Sequence, residues 1–251
     1  TLVTEDIFLY GAKNKRFIPN KKVVLKLVKS VAAHPRVKVI QPAHISLAPV
    51  VHDPTLVKEM TEILIDYNWY KHGKKRIVTA ETGVETGSVR LMRKYMAGKM
   101  LPFKPEQWKE VVSQAFGILN DNDWYPLATL IVGLPDENEE DVFETLELMD
   151  DLKDYKVFYV PLLFVPLENC LLMNKRGAEV DSLTKARWEL ITRCWEYNIR
   201  IWRDSFLQHK IRNPLLYKLA KQIALPFATK AAGIYYGVKY GQEMQDAIWK
   251  M

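Results

Sequence analysis

Short apolar runs rich in β-branched and aromatic residues alternate along this chain with longer segments whose apolar positions recur at helical spacing. That alternation is expected of βα units around a parallel sheet. The first run is Ile7-Phe8-Leu9-Tyr10, closed by Gly11, and Pro19-Asn20 then introduces a helix through about Val31. Val37 to Ile40 and Ile45 to Val51 read as an interrupted extended stretch, after which Asp53-Pro54 is placed to start a helix reaching about Tyr67. Arg76 to Ala80 reads as a third strand. Trp108, Val111, Val112, Ala115, Phe116 and Leu119 are spaced to put one apolar stripe on a helix opened by Pro105 and ended at Asn120-Asp121-Asn122. Leu127 to Val132 is a continuous apolar strand. After the Gly133-Leu134-Pro135 turn, Glu137, Glu139, Glu140 and Asp141 occupy a helix first turn, where acidic groups complement the dipole. Val142, Leu146 and Met149 form the inner stripe of that helix, and Val157 to Val165 reads as a fifth strand.

Beyond residue 165 the pattern is helical only. Trp188, Trp195 and Trp202 recur every seven residues, which is read as a stripe packing on the core. The expected fold is therefore α/β: a partial (β/α) barrel over 1–165 followed by a helical C-terminal extension over 166–251. In such folds chemistry sits where strands run into the following loops, which singles out Tyr10-Gly11, Gln41 to Ser46, Glu81 to Ser88 and Gly133 to Glu137. Residues Pro214 to Met251 mix aromatic and apolar residues with spaced lysines but hold no apolar run long enough to span a bilayer. Peripheral membrane contact is left open for that part.

Composition narrows the class. A hydrophobic fraction of 48% and a charged fraction of 26% suit a globular chain with a sizeable core. The net charge of +6 comes from Lys and Arg interleaved with Asp and Glu, a solvated surface and not a nucleic-acid footprint. Cys170 and Cys194 are the only cysteines. They can build neither a disulfide framework nor a zinc quartet, which fits a reducing cytoplasm, and both are expected to be buried apolar residues. The histidines show no paired metal spacing, so no metal site is assigned. The opening Thr1-Leu2-Val3-Thr4-Glu5-Asp6 lacks a charged-then-apolar leader and reads as the middle of a longer chain.

Two segments carry candidate chemistry. In Glu81-Thr82-Gly83-Val84-Glu85-Thr86-Gly87-Ser88 a strand end becomes a glycine-rich turn and then a helix. Its backbone N–H groups can receive a carboxylate, and Glu85 offers a fixed negative charge, a combination suited to an amino-acid moiety. The same residues also fit a tight strand-to-helix turn capped by Ser88. In Ala128 to Glu137 a buried strand delivers a Gly-Leu-Pro turn that could lie against a flat ligand, with Gly133 giving clearance.

In this order, about forty residues apart, the two segments resemble the radical S-adenosylmethionine enzymes, specifically those with an N-terminal cobalamin-binding domain. The likeness runs through Gly83 to Met96 and Thr129 to Asp151, with His44 to Ala48, Asp53 to Val57 and Thr4 to Gly11 as further strand and helix starts. It covers about residues 4 to 165. The resemblance implies S-adenosylmethionine as cofactor, bound by Gly83, Glu85, Thr86, Ser88, Ile131 and Gly133, with Glu85 and Ser88 facing its methionine and ribose parts and Ile131 and Gly133 along its adenine. It also implies a four-iron four-sulfur cluster, and cobalamin is left open. The expected activity is deoxyadenosyl-radical chemistry on an unreactive carbon of a small-molecule or lipid substrate, with methyl transfer or carbon–carbon bond formation as possible outcomes. Two departures stand out. Asp136 replaces the glycine usual in the family's turn, and the family's first strand and cysteine triad are absent, so the cluster ligands are expected in a missing N-terminal part of the same protein and this chain is expected to be inactive alone. The alternatives are a non-catalytic nucleotide- or amino-acid-binding module and a membrane-associated assembly module.

Overall fold

The computed structural model describes residues 2–13, 17–68 and 70–210. A short antiparallel hairpin, β1 (Lys71–His72) and β2 (Lys75–Arg76), precedes a parallel sheet of β3 (Glu81–Glu85), β4 (Leu127–Val132) and β5 (Phe158–Leu163), in that spatial order. Parallel pairing continues past β3 as single bridges, His44 to Glu81 and Leu2 to Pro42. Five extended segments thus lie side by side, three of them true strands. The described residues form a mixed α/β structure without a closed barrel.

The helices are α1 (Lys21–Ala32), α2 (Leu47–His52), α3 (Pro54–Leu64), α4 (Val89–Tyr95), α5 (Trp108–Asp121), α6 (Glu139–Asp151) and α7 (Lys185–Lys210). Their starts follow local chemistry. Asn20 accepts from the Val23 amide, Asp53 accepts from the Leu56 amide with Pro54 next to it, and Asn138 and Asp141 cap each other's backbone amides at the start of α6.

Alternation along the strands divides the sheet into two faces. Thr82, Val84, Ala128, Leu130, Val132 and Tyr159 are buried, and the apolar ones join a core with the stripes of α5 and α6 and with Trp188, Leu190 and Cys194 of α7. Glu81, Gly83, Glu85, Leu127, Thr129, Ile131, Phe158 and Val160 alternate with them and stay partly or wholly open. Asn198 of α7 bonds both backbone groups of Tyr159, accepting from its N–H and donating to its carbonyl at 2.7 Å each. It does for the β5 edge what a further strand would do. The described part of the C-terminal extension therefore shares the sheet's core.

Several sequence expectations are corrected. Ile7–Leu9 is a 3-10 turn and not a strand, because Asp6 Oδ1 accepts from the Phe8 amide at 2.9 Å and Gly11 turns at φ 71°. Val37 to Ile40 forms no strand, and Leu47 to His52 is helical, with only Pro42 and His44 bridged. Arg76 to Ala80 contributes the hairpin end and a single bridge, Val78 to Trp124. Of the tryptophan stripe, Trp188 is buried while Trp195 is 49% exposed, its ring edge-on to Phe158. Cys194 is buried as expected, whereas Cys170 is partly exposed. Pro214 to Met251 lies outside the described residues. Among those described, no helix is long and apolar enough to cross a membrane.

Candidate functional site at the rim of the parallel sheet

Gly83, Glu85 and Ile131 converge at the C-terminal ends of β3 and β4. A bulge makes this possible: Gly83 pairs with Thr129 but Glu85 pairs with Leu130, so one extra residue is accommodated and Glu85 adopts φ 64°. A glutamate in the left-handed region carries a cost of order 1 kcal/mol, the kind of strain that gathers at functional sites. The kink aims its carboxylate along the open face. There it pairs with the Lys99 ammonium and accepts from Thr129 Oγ1 at 3.3 Å, with 16% of the side chain exposed. Gly83 lies directly beneath this pair, and a Cβ there would displace the Glu85 carboxylate and the Lys99 ammonium.

Thr86 and Ser88 are differently placed. Both are buried. Thr86 Oγ1 meets Thr145 Oγ1 at 3.1 Å, and Ser88 Oγ donates to Asp141 Oδ1 at 2.6 Å while accepting from the Leu91 amide. The N–H groups expected to greet a ligand are also engaged: Gly87 donates to Thr145 Oγ1, Ser88 to Thr86 Oγ1 and Val89 to Glu144 Oε2, at 2.9 to 3.1 Å. The expectation of open donors at this helix start is thus corrected; α6 takes the Gly87 and Val89 amides and Thr86 takes that of Ser88. Gly87 is glycine because a Cβ would meet the Glu144 carbonyl oxygen at 2.6 Å, holding this turn flat on α6.

Asp141 organises that contact. Burial alone would raise its pKa, but Arg90, the Asn138 amide and Ser88 hold the carboxyl below its usual range. Arg90 also donates to the Asp136 carbonyl at 2.7 Å, tying the two turns together. Asp136 accepts from Lys94 Nζ and Tyr95 Oη at 2.7 Å each, and Lys94 first, then Tyr95, lowers its pKa to about 2. Its φ of 61° shows that the backbone keeps the shape a glycine would favour, the aspartate being fixed there by its partners.

Gly133 turns at φ 80°, and its amide donates to Glu137 Oε2 at 3.0 Å. Burial raises the Glu137 pKa, against the opposing pull of Arg187 at 2.8 Å. The clearance expected over Gly133 is taken by Ala178, whose Cβ would lie 2.6 Å from an added Cβ. Ile131 packs on a small cluster of Leu91, Leu134 and Phe164, joined by Leu172 and Ala178.

No family model matches this chain, and no curated protein matches it.

The geometry brings the two sequence-flagged turns to one rim and splits their residues into two groups. Gly83, Glu85 and Ile131 stay partly exposed on the sheet face away from the helices, Gly83 beneath the Glu85–Lys99 pair and Ile131 against the Ala178 cluster, while Thr86 and Ser88 brace the scaffold and Gly133 lies beneath Ala178. Lys99 escaped the sequence reading. The one signal for it was that a lone carboxylate in a donor-rich loop needs a countercharge. Glu85 already accepts from an ammonium, that of Lys99, so its carboxylate oxygens fit the amino group of an amino-acid ligand. The chain does not fit an iron–sulfur cluster. Cys194 is buried with its thiol pKa pushed far up by desolvation, and no three His, Cys, Asp or Glu side chains gather as metal ligands among the described residues.

Proposed function

We propose that this chain is the cofactor-binding part of a radical S-adenosylmethionine enzyme, a partial (β/α) barrel whose cluster ligands lie outside residues 1–251. The observation that carries the reading is Glu85, held at φ 64° by a bulge and aimed with Thr129 onto the open sheet face, one strand from Ile131. Glu85 would take the ligand's ammonium in place of Lys99, with Gly83 giving the room. Ile131 would lie along the adenine once Ala178 yields. When bound and reduced, S-adenosylmethionine supplies hydrogen-abstracting chemistry for an unreactive carbon. This chain's residues contribute binding, orientation and exclusion of water. Cobalamin, a small-molecule or lipid substrate, and contact with a membrane surface belong to the same proposal for the whole protein.

The test is anaerobic reduction of the natural full-length product containing residues 1–251, with its cluster loaded and S-adenosylmethionine added. Release of deoxyadenosine, lost in Glu85→Gln, is the expected result. A loaded cluster without deoxyadenosine overturns the proposal.

A further inference from the structure

A second place on the open face, at its other end, has the features of a ligand site. His44, Glu81, Leu127 and Phe158 are successive cross-strand neighbours and form a single row. Four residues of strand separate Glu81 from Glu85, about 13 Å at the usual rise. With Tyr125 and Trp202 this row lines a cleft of ≈ 480 Å³, mostly apolar, within the range of pockets that enclose small organic molecules.

Its walls are aromatic, and its lining carries one carboxylate, Glu81, together with His44 and Lys71. The Trp202 ring stands 6.0 Å from Tyr125 and 6.4 Å from Phe158, at interplanar angles of 73° and 66°, so the three rings build a corner and not a flat wall. Trp202 is fixed there by Nε1 donating to the Val157 carbonyl at 3.3 Å. The His72 ring packs edge-on behind the corner, 5.2 Å from both Tyr125 and Trp202. At the mouth, Glu81 Oε2 meets His44 Nε2 at 3.1 Å, and His44 Nδ1 faces the Thr4 carbonyl at 3.3 Å. Glu81 is more than half exposed, and its other carboxylate oxygen has no protein partner among the described residues. The opposing charge is Lys71, which also lines the cleft.

We propose that this cleft binds a small aryl amine, its ring in the Tyr125–Phe158–Trp202 corner and its ammonium on the free oxygen of Glu81. The aromatic corner favours an apolar aryl body and the Glu81 carboxylate favours a cation, and a ligand carrying both meets the two preferences together. The inference is independent of the rim site and needs no S-adenosylmethionine.

Calorimetric titration of the intact chain with tyramine, 4-ethylphenol and 4-hydroxyphenylacetate tests it, the three probes sharing a ring and differing in charge. Tyramine is expected to bind most tightly and the anion most weakly. Glu81→Gln should weaken tyramine about tenfold, roughly 1.4 kcal/mol, and leave 4-ethylphenol unchanged. Leu127→Trp, which fills the cleft, should weaken all three while circular dichroism confirms the fold. Glu85→Gln should leave tyramine binding unchanged, which separates failure here from failure at the rim. The proposal is overturned if no probe binds, if Glu81→Gln leaves tyramine unaffected, or if the anion binds as tightly as tyramine and loses affinity in Lys71→Met.

Discussion

Asp6 is the clearest single residue at which position sets chemistry. It caps the turn at Ile7, and burial pushes its pKa from 3.8 to about 6, against the lowering effect of hydrogen bonds from Ser46 and the Phe8 amide. The folded form therefore holds this proton more tightly than the unfolded chain. Its contribution is fully favourable below pH ~4 and is lost as pH rises through about 6, by roughly 2–3 kcal/mol at about 1.36 kcal/mol per pH unit. Denaturant titrations at steps from pH 4 to pH 7.5 should show that loss in the natural chain and a flatter profile in Asp6→Asn. Equal slopes in the two would contradict it. Gly87 makes a second residue-scale prediction. Its missing Cβ is required by rigid backbone on α6, so Gly87→Ala should cost about 1–3 kcal/mol in thermal or chemical unfolding. A neutral change would show that α6 does not press on this turn.

Among the elements, those best legible in the sequence are the ones whose local chemistry agrees with their packing. Pro19-Asn20, Asp53-Pro54 and the acidic run from Glu137 to Asp141 announce α1, α3 and α6, and the unbroken Leu127 to Val132 run announces β4. The failures share one cause: a short apolar run reads alike as a strand, a 3-10 turn or a buried helix, and neighbours decide. Ile7 to Leu9 is curled by Asp6, and Leu47 to His52 is drawn into helix against α5. At the site, Gly83 and Glu85 were legible from residue type. Ser88 caps α4, one of its two readings from the sequence, but nothing local reveals that Asp141 and Thr145, more than fifty residues away, engage the Ser88 and Thr86 hydroxyls. The contact of α7 with β5 is equally non-local and gives its own prediction. Asn198→Ala leaves the buried Tyr159 N–H and carbonyl unpaired, a loss of about 1–3 kcal/mol. Hydrogen exchange at the Tyr159 amide should accelerate in the variant, and unchanged protection would argue that α7 does not seal that edge.

On the scale of the whole molecule, one sheet face is closed by helices and the other presents two chemically distinct places: a carboxylate–ammonium pair at the rim and an aromatic cleft below it. The α/β class and the βα order were legible from periodicity. The extent of strand formation was not, because single parallel bridges at Pro42 and His44 leave little trace in a hydrophobic pattern. The rim site is the one on which the functional account depends. Its most direct test is calorimetric titration of this chain with S-adenosylmethionine, alongside Glu85→Gln with its fold checked by circular dichroism. Saturable binding is expected, weakened about tenfold or more by the substitution, on the order of 1.4 kcal/mol. Absence of binding, or equal affinity in the two proteins, would contradict it.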